Sequence, residues 1–278
     1  MENIEKNSSL KKVWDAELDI LSTVDEICRK NGLKYSVAYG TMLGAIRHKG
    51  FIPWDDDVDI IMPREDYERL IEVWKIEKSK GYILQNKFTN WDFTQNFTKI
   101  RKDNTTFIHN EWERNVTYHT GIFIDVFPGD RVAPNKIMRK LQLLAVAINL
   151  LYSRNFKSRA SGIQNMIEGI FLRLPQGVKK KLFVSTGKFI QKWNSLSEQD
   201  YFFPNTMEWA YRQYPADMFD ELIDVDFAKR KFLCVRDADK VLRIDYGNYM
   251  ELPPIEERVL KHHAIIMDAE HNLKDIPI

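Results

Sequence analysis

Cysteine is scarce in this chain: Cys28 and Cys234 are the only two in 278 residues. They lie far apart and without metal-ligand spacing, so no disulfide framework is expected. Long hydrophobic runs are missing too. The longest apolar stretch, 141–152, is interrupted by Gln142 and Asn149 and is too short to span a bilayer. The opening residues, MENIEKNSSL, are polar and acidic rather than patterned as a signal sequence, which makes a cytoplasmic protein the expectation. Internal repeats and low-complexity linkers are likewise lacking. With 44% hydrophobic and 29% charged residues, the chain has the composition of a soluble globular protein long enough to bury a full core.

What is present is charge, unevenly placed. A formal net charge of +1 conceals a segment, 131–192, in which thirteen Lys and Arg stand against one acid, Glu168. Such segregation suits a surface that meets anions. The same segment carries apolar residues at helical spacing, among them Ile137, Leu141, Leu144, Ile163 and Ile167. Basic amphipathic helices fit a face resting on an anionic membrane surface, a partner expected through 131–192. The ordinary alternative packs the apolar faces inward and leaves a solvated basic face. Nucleic acid ranks last, because aromatic residues for base stacking are sparse there.

The most chemically loaded stretch is IPWDDDVDIIMP, 52–63, with four aspartates in five positions. Carboxylates at that density repel one another and persist in a fold only where cations or donors offset the repulsion. A strand through Val58, Ile60 and Met62 would put Asp57 and Asp59 on one face, about 7 Å apart, able to hold Mg²⁺ or Mn²⁺ through hard oxygen ligands. Asp55 is read as supporting, and Asp56 as facing solvent or capping the turn. An acidic surface turn is the plain alternative. A calcium loop fails on spacing, since its sixth and twelfth positions would be Ile60 and Asp66 rather than Gly and Glu.

Upstream, the strand-like 35–39 runs into Gly40-Thr41 and then into helical spacing. That junction offers free backbone N–H groups and a positive dipole end to a phosphate. Arg47 and Lys49 add cationic charge; His48 is read as ligand, donor or merely structural. Downstream, GIFIDVFP embeds Asp125 in an apolar strand, where a lone carboxylate is costly without a partner. A metal would satisfy it, as would pairing with a buried Arg or capping a turn. The order strand, Gly-Thr, helix, paired-acid strand, third acid resembles a polymerase-β type nucleotidyltransferase core.

Three blocks, YGTMLGAIRHKGFIPWDDDVDIIMPREDYERL, GIFIDVFP and RIDYGNYMELPP, resemble the LicD family of phosphocholine transferases, related to the fukutin proteins. The resemblance implies a nucleotidyltransferase-like fold, a divalent metal, and transfer of a phospho-alcohol from a CDP-linked donor to a sugar hydroxyl. Residue by residue it carries over Asp57, Asp59 and Asp125 as catalytic and metal carboxylates, Gly40 and Thr41 as the turn at the donor phosphates, and Arg47 and Lys49 within the same motif. Val235-Arg236-Asp237-Ala238 departs from the Pro-Lys-Asp-Tyr expected in the late block. Implied partners are CDP-choline or another CDP-alcohol and a glycan or lipid-linked sugar acceptor. A choline ammonium needs aromatic rings; Trp54 is the first candidate, followed by Trp91, Trp112, Tyr118 and Trp209. Rival readings are a true nucleotidyltransferase, a glycosyltransferase with a metal-diphosphate motif at Asp57-Val58-Asp59, and an inactive membrane-associated scaffold.

The expected class is α/β (α+β): a nucleotidyltransferase core with a mixed sheet over 1–130, a basic amphipathic helical insertion over 131–200, and a C-terminal segment, 201–278, that rejoins the core. Helices are expected at 10–30, 64–75 and 237–246, and strands at 82–85, 97–101, 105–109 and 121–127. A hairpin of 221–227 and 231–235 is placed against the core sheet, and His262 and His263 fall in a polar tail.

Overall fold

The computed structural model describes residues 2–77, 80–156, 162–260 and 264–276, so His262 and His263 lie outside the described residues. In chain order the main elements begin with α1 (Glu2–Asn31), β1 (Ser36–Val37), α2 (Tyr39–His48), β2 (Asp59–Pro63) and α3 (Arg64–Glu77). Next come β3 (Tyr82–Gln85), β4 (Thr98–Lys102), β5 (Thr106–Ile108) and β6 (Phe123–Arg131). The helices α4 (Lys136–Arg154), α5 (Ile163–Leu172) and α6 (Gln176–Ile190) lead to β7 (Tyr201–Phe202) and α7 (Met207–Tyr211). The chain closes with β8 (Leu222–Phe227), β9 (Arg230–Val235), α8 (Ala238–Tyr246) and β10 (Ile266–Asp268).

These elements form two compact units. The first comprises 1–85, 98–127 and 218–278, and the second 86–97 and 128–217. In the first, an α/β fold is built on a mixed sheet ordered β1-β2-β6-β4-β3. Its central strands are apolar because both faces are covered: Ile60, Ile61, Met62, Ile124 and Val126 are all buried. Helix α1 presents Val13, Ile20, Leu21, Val24 and Ile27 as one buried stripe. It stops where Gly32 takes a left-handed φ of 62° and the Leu33 N–H returns to the Cys28 carbonyl at 2.9 Å.

The hairpin β8-β9 forms as expected but stays a two-stranded sheet of its own. The reason lies at β1, which is only two residues long. The Ser36 hydroxyl oxygen, rather than a β1 backbone group, accepts the Val235 N–H at 3.0 Å. β5 likewise leaves the main sheet and pairs with β10.

In the second unit, α4 and α6 pack around Val132, Ala145, Val146, Ile190 and Phe202, and residues 201–217 belong here. The two amides that interrupt the apolar run are its fasteners. Gln142, fully buried, accepts from the Ala133 N–H at 3.0 Å and donates to the carbonyls of Arg131 and Ile190. Asn149 donates to the Phe183 carbonyl at 2.9 Å.

Candidate active site

The site is assembled at the β2 and β6 positions of the sheet and the start of α2. The Asp125 N–H donates to the Val58 carbonyl at 2.8 Å, which sets the two acid-bearing segments side by side. Asp59 is the first residue of β2, and its N–H donates to the Thr41 hydroxyl oxygen at 2.8 Å. Thr41 is buried, so one polar contact ties the helix start to the acid strand.

Helix α2 begins at Tyr39, held at φ 46°, a left-handed conformation that costs a bulky residue on the order of 1–3 kcal/mol. Its first intrahelical bond runs from the Met42 N–H to the Ala38 carbonyl, so the N–H groups of Gly40 and Thr41 precede the ladder. Gly40 is needed for a close approach. A Cβ there would lie 2.4 Å from Asp55 Oδ2, so the Asp55 carboxylate sits against the positive end of α2, the place sequence reasoning gave to a phosphate.

The aspartate loop departs from simple alternation. The Asp55 N–H bonds the Ile52 carbonyl in a turn, and the Trp14 indole N–H pins the Asp55 carbonyl at 2.8 Å. Because the chain is still turning, parity does not apply before Val58, and Asp56 is only 1% exposed. The expectation that Asp56 faces solvent is therefore corrected. Asp57 also precedes the strand rather than lying in it, and is half-buried.

Burial, with Asp57, Asp125 and Asp55 nearby, holds the Asp59 carboxyl well above the usual carboxylate range; Lys99 opposes this. Glu17, which sequence reasoning missed, belongs to the same field. It lies one turn beyond Trp14 on α1, is 2% exposed, and has no hydrogen-bond partner for Oε2 among the described residues. Burial first, then Asp57, Asp56, Asp55 and Asp125, raises its pKa well above normal. A Glu at a core position of a predicted helix was the available signal.

Asp125 faces Lys99 across the β4-β6 ladder, and Lys99 Nζ reaches Oδ1 at 2.6 Å while lying 3.3 Å from the Phe123 ring centre. The buried-cation partner weighed as the alternative for Asp125 is thus present, as a Lys rather than an Arg. Burial lowers the Lys99 pKa, against the pull of Asp125.

Arg47 and Lys49 sit at the far end of α2 from Gly40, about 10–15 Å away by helix rise. Arg47 Nη1 donates to the Tyr249 carbonyl at 2.6 Å and Nε to His48 Nε2 at 3.0 Å. His48 is an acceptor there, its pKa lowered by burial and by Arg47. Lys49 is the left-handed C-cap, φ 59°, with an exposed side chain. Trp54 is half-buried, edge-on to His48, with the Arg258 guanidinium 5.6 Å from its ring centre. Tyr246, from the late block, also feels Asp59, Asp55 and Asp57; partial burial is the largest of the causes that raise its pKa.

The donor set fits a hard divalent ion in chemistry: all oxygens, an orphaned Glu17 oxygen, and clustered like charge that a cation would relieve. Among the described residues, no three acidic, His or Cys side chains yet converge on a common point.

A family profile described as "LicD/FKTN/FKRP, nucleotidyltransferase domain" matches residues 32–147. The lipopolysaccharide cholinephosphotransferase LicD of Haemophilus influenzae is 30% identical over 253 residues, covering 88% of this chain and 92% of that protein. The chain belongs to the LicD family. An uncharacterized protein of Rickettsia typhi is 37% identical over 67 residues, 24% of this chain and 22% of that protein. LicD membership accounts for the order of parts along the sheet, supports a LicD-type phospho-transfer activity, and suggests that it depends on a metal.

Proposed function

We propose that this protein transfers a phospho-alcohol, with phosphocholine from CDP-choline the leading cargo, to a sugar hydroxyl of a cell-surface glycan or teichoic acid precursor, releasing CMP. The acceptor oxygen bonds to the phosphorus that bears the alcohol, and the P–O bond to CMP breaks. The acceptor proton passes to Asp125 Oδ2, since Lys99 holds Oδ1. Gly40 and Thr41 receive the donor phosphates with their N–H groups, displacing the Asp55 carboxylate from the start of α2. Asp57 and Asp59, with Asp125 and with Asp55 in support, would hold Mg²⁺ or Mn²⁺, which when bound offsets the negative charge of the transferring phosphoryl group. Trp54 offers its face to the choline ammonium, as it already does to Arg258.

The observation that carries this reading is the clustered like charge around Asp59, only partly opposed by Lys99, beside a helix start whose first N–H groups precede the intrahelical ladder. A screen of CDP-alcohols, read by CMP release, tests it. Turnover with at least one donor, lost in Asp57→Ala, is expected; turnover unchanged in Asp57→Ala would overturn it. A peripheral place on the inner face of the cytoplasmic membrane suits a lipid-linked acceptor.

A further inference from the structure

On the outer faces of α4 and α5, in the second unit, the ordinary partition of side chains is inverted. Helix α5 carries one acid, Glu168, and buries it to 7% exposure against Arg154 at 2.7 Å. Its apolar residues Ile163, Met166, Ile167 and Ile170, spaced i, i+3, i+4, i+7, are exposed, Ile163 to 74% and Ile170 to 56%. Helix α4 repeats the pattern, with Gln142 and Asn149 buried while Ile137, Leu141 and Leu144 lie on the outside. The alternative that these helices turn their apolar faces inward therefore fails at these residues. An apolar stripe in water is unfavourable by roughly 25 cal/mol for each Å² left uncovered, so such a face marks a contact surface.

Charge selects the occupant. Exposed Lys136 and Lys140 flank Ile137 and Leu141, and Arg173, Lys180 and Lys181 follow α5 at the surface. The only acid of 131–192 is already paired. No helix among the described residues is long and apolar enough to cross a membrane, so a helix of ten residues such as α5 would lie in an interface rather than span one.

We propose that α5, with the outer face of α4, is the element by which this protein seats itself on an anionic lipid bilayer, its isoleucines entering the headgroup boundary and its lysines and arginines meeting lipid phosphates. The proposal needs nothing of the transfer reading, since lipid binding is measured without turnover.

The test is flotation of the full chain with vesicles of phosphatidylcholine alone and of phosphatidylcholine mixed with phosphatidylglycerol. Binding to the mixed vesicles at low salt, weakened by high salt and at least about tenfold tighter than to phosphatidylcholine alone, is expected. Ile167→Asp with Ile170→Asp should lower that binding about tenfold or more while the thermal melt is kept, because both side chains already face solvent. Failure of the wild type to float with anionic vesicles, or wild-type binding by the double variant, would overturn the proposal. So would a concentration-dependent dimer that the double variant dissolves without any vesicle binding, which would make the face a contact between copies.

Discussion

The two units each leave a physical demand unmet, and the demands are of opposite kind. The first buries like charge: Glu17, Asp56 and Asp59 are withdrawn from water in one neighbourhood, and Lys99 is spent on Asp125. The second hides Gln142, Asn149 and Glu168, each with a partner, and shows water Ile137, Ile163, Ile167 and Ile170. Isolated folding would favour neither arrangement. An acid floor calls for a cation and a ligand that brings charge to be balanced, whereas an apolar stripe with exposed Lys136, Lys140 and Arg173 near it in sequence calls for an interface that is apolar within and anionic without. The two proposals rest on one idea: a functional region is sought as a local violation of folding economy, and the sign of the violation points to the class of ligand.

The comparison breaks most sharply at the acids. Asp59→Ala and Asp57→Ala should each lower CMP release by about a thousandfold or more, as expected when charge stabilisation at a phosphoryl group is removed. Removing Asp59 should at the same time raise the melting temperature without divalent ion, because a buried like charge is relieved. A variant that loses both activity and stability would show that the carboxylate is structural.

Next in size is the ion pair. Lys99→Met should cost about 3–5 kcal/mol in denaturant unfolding by leaving Asp125 uncompensated, and adding Asp125→Asn should recover most of the loss. Glu17 separates space from charge. Glu17→Ala should cost about 1–3 kcal/mol through lost packing, while Glu17→Gln, which imitates the protonated acid, should stay within about 1 kcal/mol of wild type.

The smallest effect is a slope. Because Glu17 and Asp59 titrate higher folded than unfolded, the native state binds more protons than the unfolded chain between the two pKa values. Stability without divalent ion should therefore fall as pH rises from the ordinary carboxylate range upward through the raised values, by up to about 1.4 kcal/mol per pH unit for each group. Millimolar Mg²⁺ should flatten the slope, as read by chemical denaturation at several pH values. A stability that climbs with pH would contradict the unmet charge of the first unit.

Much of the frame was legible in the sequence, because period and punctuation are local. α1 ends at Asn31-Gly32 as expected, and β3 spans the expected residues, 82–85. Asp59, Asp125, Gly40 and Thr41 were named from order alone, and the structure ties Asp59 to Thr41 and sets Asp125 beside Val58; the roles given to them are the ones proposed. What was not readable is lateral. Nothing in the sequence says that Lys99 stands across from Asp125, which is fixed by the β4-β6 register. Parity misled at Asp56, because the Ile52–Asp55 turn precedes the strand. Arg47 has the chemistry of a phosphate clamp, yet it holds the Tyr249 carbonyl, since α2 carries it away from the helix start. In the second unit the periodicity of α4 and α5 was correct, but periodicity names a face and not its direction; burial of Gln142 and Glu168 turned that face outward.

The most direct test of the account is mass analysis of the products formed from CDP-choline and a glycan acceptor with Mg²⁺. The account predicts free CMP and phosphocholine on the acceptor, with neither product above background for Asp57→Ala; pyrophosphate, or a nucleotide attached to the acceptor, would contradict it.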